Sequence, residues 1–165
     1  MRCYLVRHGE AKAEVEDPAR SISERGREEV RLVALHAAAA GVQVAEILHS
    51  GKLRARQTAE ILAEYLRPAR GVRETDGIAP NDSPEKAWAE VVAASEPLMI
   101  VGHLPHLGLL ISALILGDPK KDLIQFPTGA MACLARSKEA FRLEWLLTPE
   151  LAGALELSTG SGGDG

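Results

Sequence analysis

The chain has 165 residues, of which 46% are hydrophobic and 25% charged. That is the balance of a globular domain that buries a core, and it excludes bulk disorder. Nineteen basic and 23 acidic side chains leave a formal charge of −4, so no global basic field draws the chain to nucleic acid.

Cys3-Tyr4-Leu5-Val6 is a short apolar run that ends at Arg7-His8-Gly9, the pattern of a buried strand entering a turn. Polar residues follow from Glu10 to Arg20. Ser23 then caps a predicted helix whose apolar face is Val30, Val33, Ala34 and Ala37 and which stops at Gly41. Gly26 in its first turn is a mild cost. Ala45 to Leu48 reads as a second strand. The next helix is expected from Leu53 to Leu66, with Ala55, Ala59, Leu62 and Leu66 on one face. A brief strand is expected near Val72. Ser83-Pro84 opens a third helix with Trp88, Val91 and Val92 inward. Leu98 to Val101 is a central strand ending at Gly102-His103, and Pro105 opens a helix with Leu107, Leu110, Ile111 and Leu114 inward. Ala130 to Ala135 and Arg142 to Leu147 read as two late strands around a hairpin at Ser137 to Ala140. The chain is expected to form one domain over residues 1–157, with a Gly/Ser-rich disordered tail from Ser158 to Gly165.

Alternating strands and helices predict an α/β three-layer sandwich: a mostly parallel central sheet with helices on both faces. No apolar run is long enough to span a bilayer. The N-terminus lacks the apolar length and cleavage site of a signal peptide. Cys3 and Cys133 form no paired motif, so a cytoplasmic, monomeric chain without a disulfide is expected.

Three polar clusters fall at strand ends, the edge where open α/β sheets bind ligands. Arg7-His8-Gly9 sets a cation and an imidazole beside a glycine that permits a sharp turn. Ser50 to Ala59 carries Lys52, Arg54 and Arg56 at a helix start, where backbone N–H groups and guanidinium forks favour an anion. It is not a Walker A loop, since the upstream glycine is missing and Leu53 follows Lys52. Gly102-His103-Leu104-Pro105-His106 is the third cluster. Its paired histidines have no carboxylate or cysteine placed to complete a metal site, so neither a metal nor another cofactor is expected. Taken singly, each cluster is equally readable as a satisfied histidine or a solvated arginine.

Together they resemble the histidine phosphatase superfamily, which has the phosphoglycerate-mutase-like fold, and within it the short SixA-type phosphohistidine phosphatases. The matching residues are Arg7-His8-Gly9-Glu10-Ala11, Arg20 to Gly26, Ser50-x-x-x-Arg54-Ala55-x-x-Thr58 and Val101-Gly102-His103-Leu104-Pro105. They span nearly the whole chain, from Arg2 to about Leu147. Gly51 stands where the family usually has proline, and Ser21-Ile22 where it has Pro-Leu. Neither departure replaces a group that does chemistry. The resemblance implies a phosphate pocket of Arg7, His8, Arg54 and His103, with Arg20 at its rim, and His8 as the nucleophile that forms a transient phosphohistidine. A neutral imidazole of ordinary pKa, about 6.5, serves that role, and the rate is then expected to fall toward acid with a transition near neutrality.

Alkyl phosphates need an acid to protonate the departing oxygen, whereas an imidazole is a much less basic leaving group. Asp76 and Asp82 are the candidate proton donors, with Glu74 nearby, each equally readable as a loop carboxylate. The expected substrate is a phosphohistidine-bearing protein. A small phosphorylated ester is the alternative, as is a phosphate-binding module without catalysis. His49 and His106 receive no role.

Overall fold

The computed structural model describes residues 1–138 and 140–160. The apolar runs become strands β1 (Arg2–Arg7), β2 (Glu46–His49), β3 (Val72–Glu74), β4 (Leu98–Gly102), β5 (Met131–Arg136) and β6 (Phe141–Leu147). Between and after them lie helices α1 (Glu24–Ala39), α2 (Leu53–Leu66), α3 (Glu85–Ala93), α4 (His106–Leu116) and α5 (Pro149–Gly160). The strands form one sheet in the order β3-β2-β4-β1-β5-β6. The β2–β3, β2–β4 and β1–β4 pairs are parallel. The β1–β5 and β5–β6 pairs are antiparallel. The expected three-layer α/β architecture is the one observed.

Side chains of the inner strands alternate between two cores, as the two-residue period of a strand requires. Tyr4, Val6, Met99 and Val101 pack with Val30, Val33, Leu62 and Ala152 of α1, α2 and α5. Cys3, Leu5, Leu98 and Ile100 pack with Val91, Leu107, Leu110 and Ile111 of α3 and α4. Burial on both faces explains why these strands read as continuous apolar runs. It also keeps Cys3 and Cys133 apart, as free buried thiols in opposite layers.

Some expectations are corrected. On α3 the buried residues are Ala87 and Val91, four apart on one face, whereas Trp88 is 43% exposed. Trp88 instead lines a cavity of about 720 Å³ with Val92, Leu116 and Phe141. Pro84 takes the cap position of this helix in a helical conformation, and its carbonyl accepts from the Trp88 N–H at 2.8 Å. The Ser83 hydroxyl is 3.4 Å from the Glu85 N–H, long for a cap. Helix α5 has no counterpart in the sequence reading. It buries Ala152 against the α1 layer and runs to Gly160, into the stretch from Ser158 expected to be a tail. The rest of that stretch, 161–165, lies outside the described residues. Among the described residues no helix is long and apolar enough to cross a membrane.

Candidate active site

Because β1 and β4 are adjacent and parallel, their carboxyl ends lie side by side, with Arg7 in register with Gly102. The next residue of each strand is a histidine. The His8 N–H donates to the Gly102 carbonyl at 3.0 Å, and the rings of His8 and His103 lie with centroids 4.9 Å apart, tilted by 52°. Both side chains are buried. His8 Nδ1 is 2.7 Å from the Gly9 carbonyl, which can only accept, so the ring proton sits on Nδ1 and Nε2 keeps its lone pair.

Helix α2 is tied to the His8 loop through Thr58. The Gly9 N–H donates to Thr58 Oγ1 at 2.9 Å, and that hydroxyl donates to the Arg54 carbonyl at 2.8 Å. The first turn of α2, with Arg54, is thereby anchored beside His8. The sequence reading gives Gly9 the role of permitting a sharp turn, but its φ is not positive. It is needed for close approach: a Cβ there would meet Ile22 Cδ1 at 2.5 Å and the Gly26 carbonyl at 3.1 Å. A Cβ on Gly26 would lie 2.3 Å from the Glu10 carbonyl. The two glycines let α1 press on the loop that carries His8.

Arg7 Nη1 donates to the Phe126 carbonyl at 2.9 Å, which fixes the guanidinium at the end of β1. Arg20 has φ +50°, a left-handed conformation uncommon for a side-chain-bearing residue. Asp17 builds that turn by accepting from the N–H groups of Ala19 and Ser21 at 3.1 and 3.0 Å. Arg20 Nε donates to the Lys12 carbonyl at 3.2 Å, and its charge acts on both His8 and Arg54. Lys52 acts on His103. Arg56 pairs with Glu60 at 2.9 Å on the exposed face of α2.

Burial pushes His8 down to about 4, and the charges of Arg54, Arg7 and Arg20 push the same way against the Gly9 carbonyl. Burial likewise pushes His103 down to about 3, helped by His8, Arg54, Lys52 and His106. The ordinary imidazole value assumed for His8 is therefore corrected. Burial also lowers Arg7 and Arg54, yet guanidinium groups keep their protons in proteins. The site is thus two neutral imidazoles among cations. Among the described residues six buried side-chain nitrogens lack a hydrogen-bond partner, and three of them are Arg7 Nε, Arg54 Nε and His103 Nδ1. Buried polar groups without partners cost free energy, and an oxyanion satisfies donors of this kind.

Asp76 and Asp82 line a cavity of about 470 Å³ together with Ser50, Thr75, Ser83 and Lys86. Asp82 accepts from the Ala79 N–H at 2.9 Å, and Asp76 is exposed, 3.9 Å from Lys86. Glu74, at the end of β3, packs its carboxylate against Gly51. His106 is buried at the start of α4, where burial lowers its pKa against the pull of Asp82 and the Gly77 carbonyl. His49 Nδ1 accepts from the Gly51 N–H at 3.1 Å. Ser50, noted in the sequence only as part of a motif, has its hydroxyl 2.6 Å from His103 Nε2. Among the described residues no group of three or more His, Cys, Asp or Glu side chains could hold a metal ion.

The model of the histidine phosphatase superfamily (branch 1) matches residues 3–79, the stretch that holds Arg7, His8, Arg20 and Arg54. An uncharacterized protein of Picosynechococcus sp. is 36% identical over 166 residues, which cover 89% of this chain and 99% of that one. The chain belongs to the histidine phosphatase superfamily. Within this superfamily it is of the SixA type. The phosphohistidine phosphatase SixA of Escherichia coli is 24% identical, over 90% of this chain and 94% of that one. The structure of the protein histidine phosphatase SixA complexed with tungstate superposes with a TM-score of 0.79 at 25% identity, over 90% of this chain and 97% of that one. The superfamily makes the chain a phosphatase. A mycobacterial glucosyl-3-phosphoglycerate phosphatase shares the fold with a TM-score of 0.66 at 19% identity, over 87% of this chain and 97% of that one.

Proposed function

We propose that the chain dephosphorylates phosphohistidine on a protein through a covalent phosphohistidine on His8, without a metal ion. The observation that carries the reading is the set of buried, unpaired nitrogens of Arg7, Arg54 and His103 around the neutral His8 ring. Nε2 of His8 attacks phosphorus as the P–N bond of the substrate breaks. The substrate imidazole departs neutral when its other nitrogen carries a proton, so it needs little acid help. Water then cleaves the P–N bond on His8 and releases inorganic phosphate. The guanidinium groups of Arg7 and Arg54 hold the phosphoryl oxygens and offset their charge through both steps, the role a metal plays elsewhere. His103 donates to a third oxygen, and Arg20 contributes charge at the rim.

The placement of Asp76 and Asp82 supports the P–N substrate. One carboxylate already accepts a backbone N–H and the other is exposed beside a lysine. A small phosphoester is the second reading, favoured by the cavity that both carboxylates line next to Ser50. The deciding experiment incubates the protein with a 32P-phosphohistidine protein and, separately, with an aryl phosphate, and traps the enzyme by rapid quench. The expected result is an acid-labile, base-stable phosphoenzyme that His8→Ala abolishes, with faster turnover of phosphohistidine. Faster turnover of the ester, lost in Asp82→Asn, establishes the second reading. Undiminished activity of His8→Ala rules out both.

A further inference from the structure

We infer that Ser50 is a positioning residue that holds the proton of His103 on Nδ1, the ring nitrogen offered to the phosphoryl oxygen. The inference rests on the proposed role of His103 at the phosphoryl group. The Ser50 hydroxyl lies 2.6 Å from His103 Nε2, a short contact for an N···O pair. A hydroxyl has one hydrogen and two lone pairs. The Lys52 N–H, which can only donate, approaches the same oxygen at 3.4 Å. One lone pair faces Lys52, and of the hydrogen and second lone pair that remain, the inference assigns the hydrogen to Nε2. A neutral imidazole that accepts on one nitrogen carries its proton on the other.

The remaining nitrogen, Nδ1, is buried without a partner, on a ring 4.9 Å from that of His8. With the proton on Nδ1 this atom donates to an anionic oxygen. With the proton on Nε2 it would present a lone pair to that oxygen and repel it. Burial and the nearby cations hold the ring neutral, so the choice is between these two tautomers alone. The loop is built to keep the hydroxyl in place. Gly51 adopts φ +81° and its N–H donates to His49 Nδ1 at 3.1 Å, a hydrogen bond that spans Ser50. Proline, usual at this position in the family, can neither reach that φ nor supply that N–H.

The test is 15N–1H long-range correlation NMR on the uniformly labelled full chain at pH 7, with the His103 signals identified by their loss in His103→Gln. The wild-type ring is expected to show a pyrrole-like Nδ1 and a pyridine-like Nε2. In Ser50→Ala the two nitrogens move toward averaged values, and Ser50→Thr restores the wild-type pattern. In parallel, Ser50→Ala lowers kcat by about 10- to 100-fold with KM changed by less than about threefold, and Ser50→Thr recovers most of the loss. A pyrrole-like Nε2 in the wild type, or ring nitrogens unmoved in Ser50→Ala, overturns the inference. The wild-type spectrum decides even if Ser50→Ala fails to fold. Undiminished activity of His8→Ala removes the proposed function but leaves the tautomer result standing, so the two failures are separate.

Discussion

In the proposed reaction His8 attacks only while Nε2 keeps its lone pair, and the surroundings of the ring decide over what pH range it does. An exposed imidazole protonates near pH 6.5. Burial, with Arg54, Arg7 and Arg20 near, moves His8 down to about 4. A lowered pKa extends the neutral form toward acid, so the enzyme's own contribution to kcat/KM stays level from pH 8 to about 5 and falls near 4. The measurement is kcat/KM for an aryl phosphate against pH, corrected for protonation of the substrate's phosphate at about 6. An enzyme transition near 6.5 would mean that the ring is far better hydrated than its burial implies. At this scale the sequence disclosed residue types but not environments. Arg7, His8, Arg54 and His103 are put forward by the resemblance of the ordered motifs to the family, since each cluster taken singly has an ordinary structural reading. The depth of burial that shifts the two rings depends on neighbours distant in sequence. Ser50 stood in a motif without a role, because its value lies in a hydrogen bond to a residue 53 positions away.

Among the elements, β1, β4 and α2 were legible because each has strong local punctuation. Both strands are apolar runs halted by histidine. Helix α2 follows a glycine and ends before Pro68, with Arg67 in a left-handed cap. Helix α5 was not legible. Its sequence mixes leucine, alanine, glutamate and glycine with little sidedness, and among the described side chains Ala152 is the one it sinks fully into the core. The same dependence on packing explains Trp88, whose apolar character says nothing about which face of α3 meets the sheet. Gly26 shows an element overruled by its neighbour. In an exposed helix, glycine to alanine gains about 0.5–1 kcal/mol. Here the new Cβ would lie 2.3 Å from the Glu10 carbonyl, a backbone atom with little room to yield. Gly26→Ala is therefore expected to destabilise the fold by about 1–3 kcal/mol, read as a lower urea midpoint at unchanged slope. A stabilised variant would mean that α1 does not press on the His8 loop.

On the scale of the whole molecule, the two cores on either side of the sheet carry stability, while the proposed site lies at the carboxyl ends of β1 and β4. Leu110 is fully buried in the core beneath α3 and α4 and belongs to none of the polar clusters. Leu110→Ala should cost about 2–5 kcal/mol of unfolding free energy, with kcat/KM per folded molecule unchanged within about twofold. Chemical denaturation together with active-site titration tests both halves. A proportionate fall in kcat/KM would mean that the core tunes the pocket as well as supporting it. The sheet order has a further consequence. The proposed catalytic side chains depend on β1, β4 and the β2–α2 junction, all interior to the sheet, while β3 and β6 form its margins. Fraying confined to either margin therefore leaves those side chains in place and the turnover of each molecule as it was.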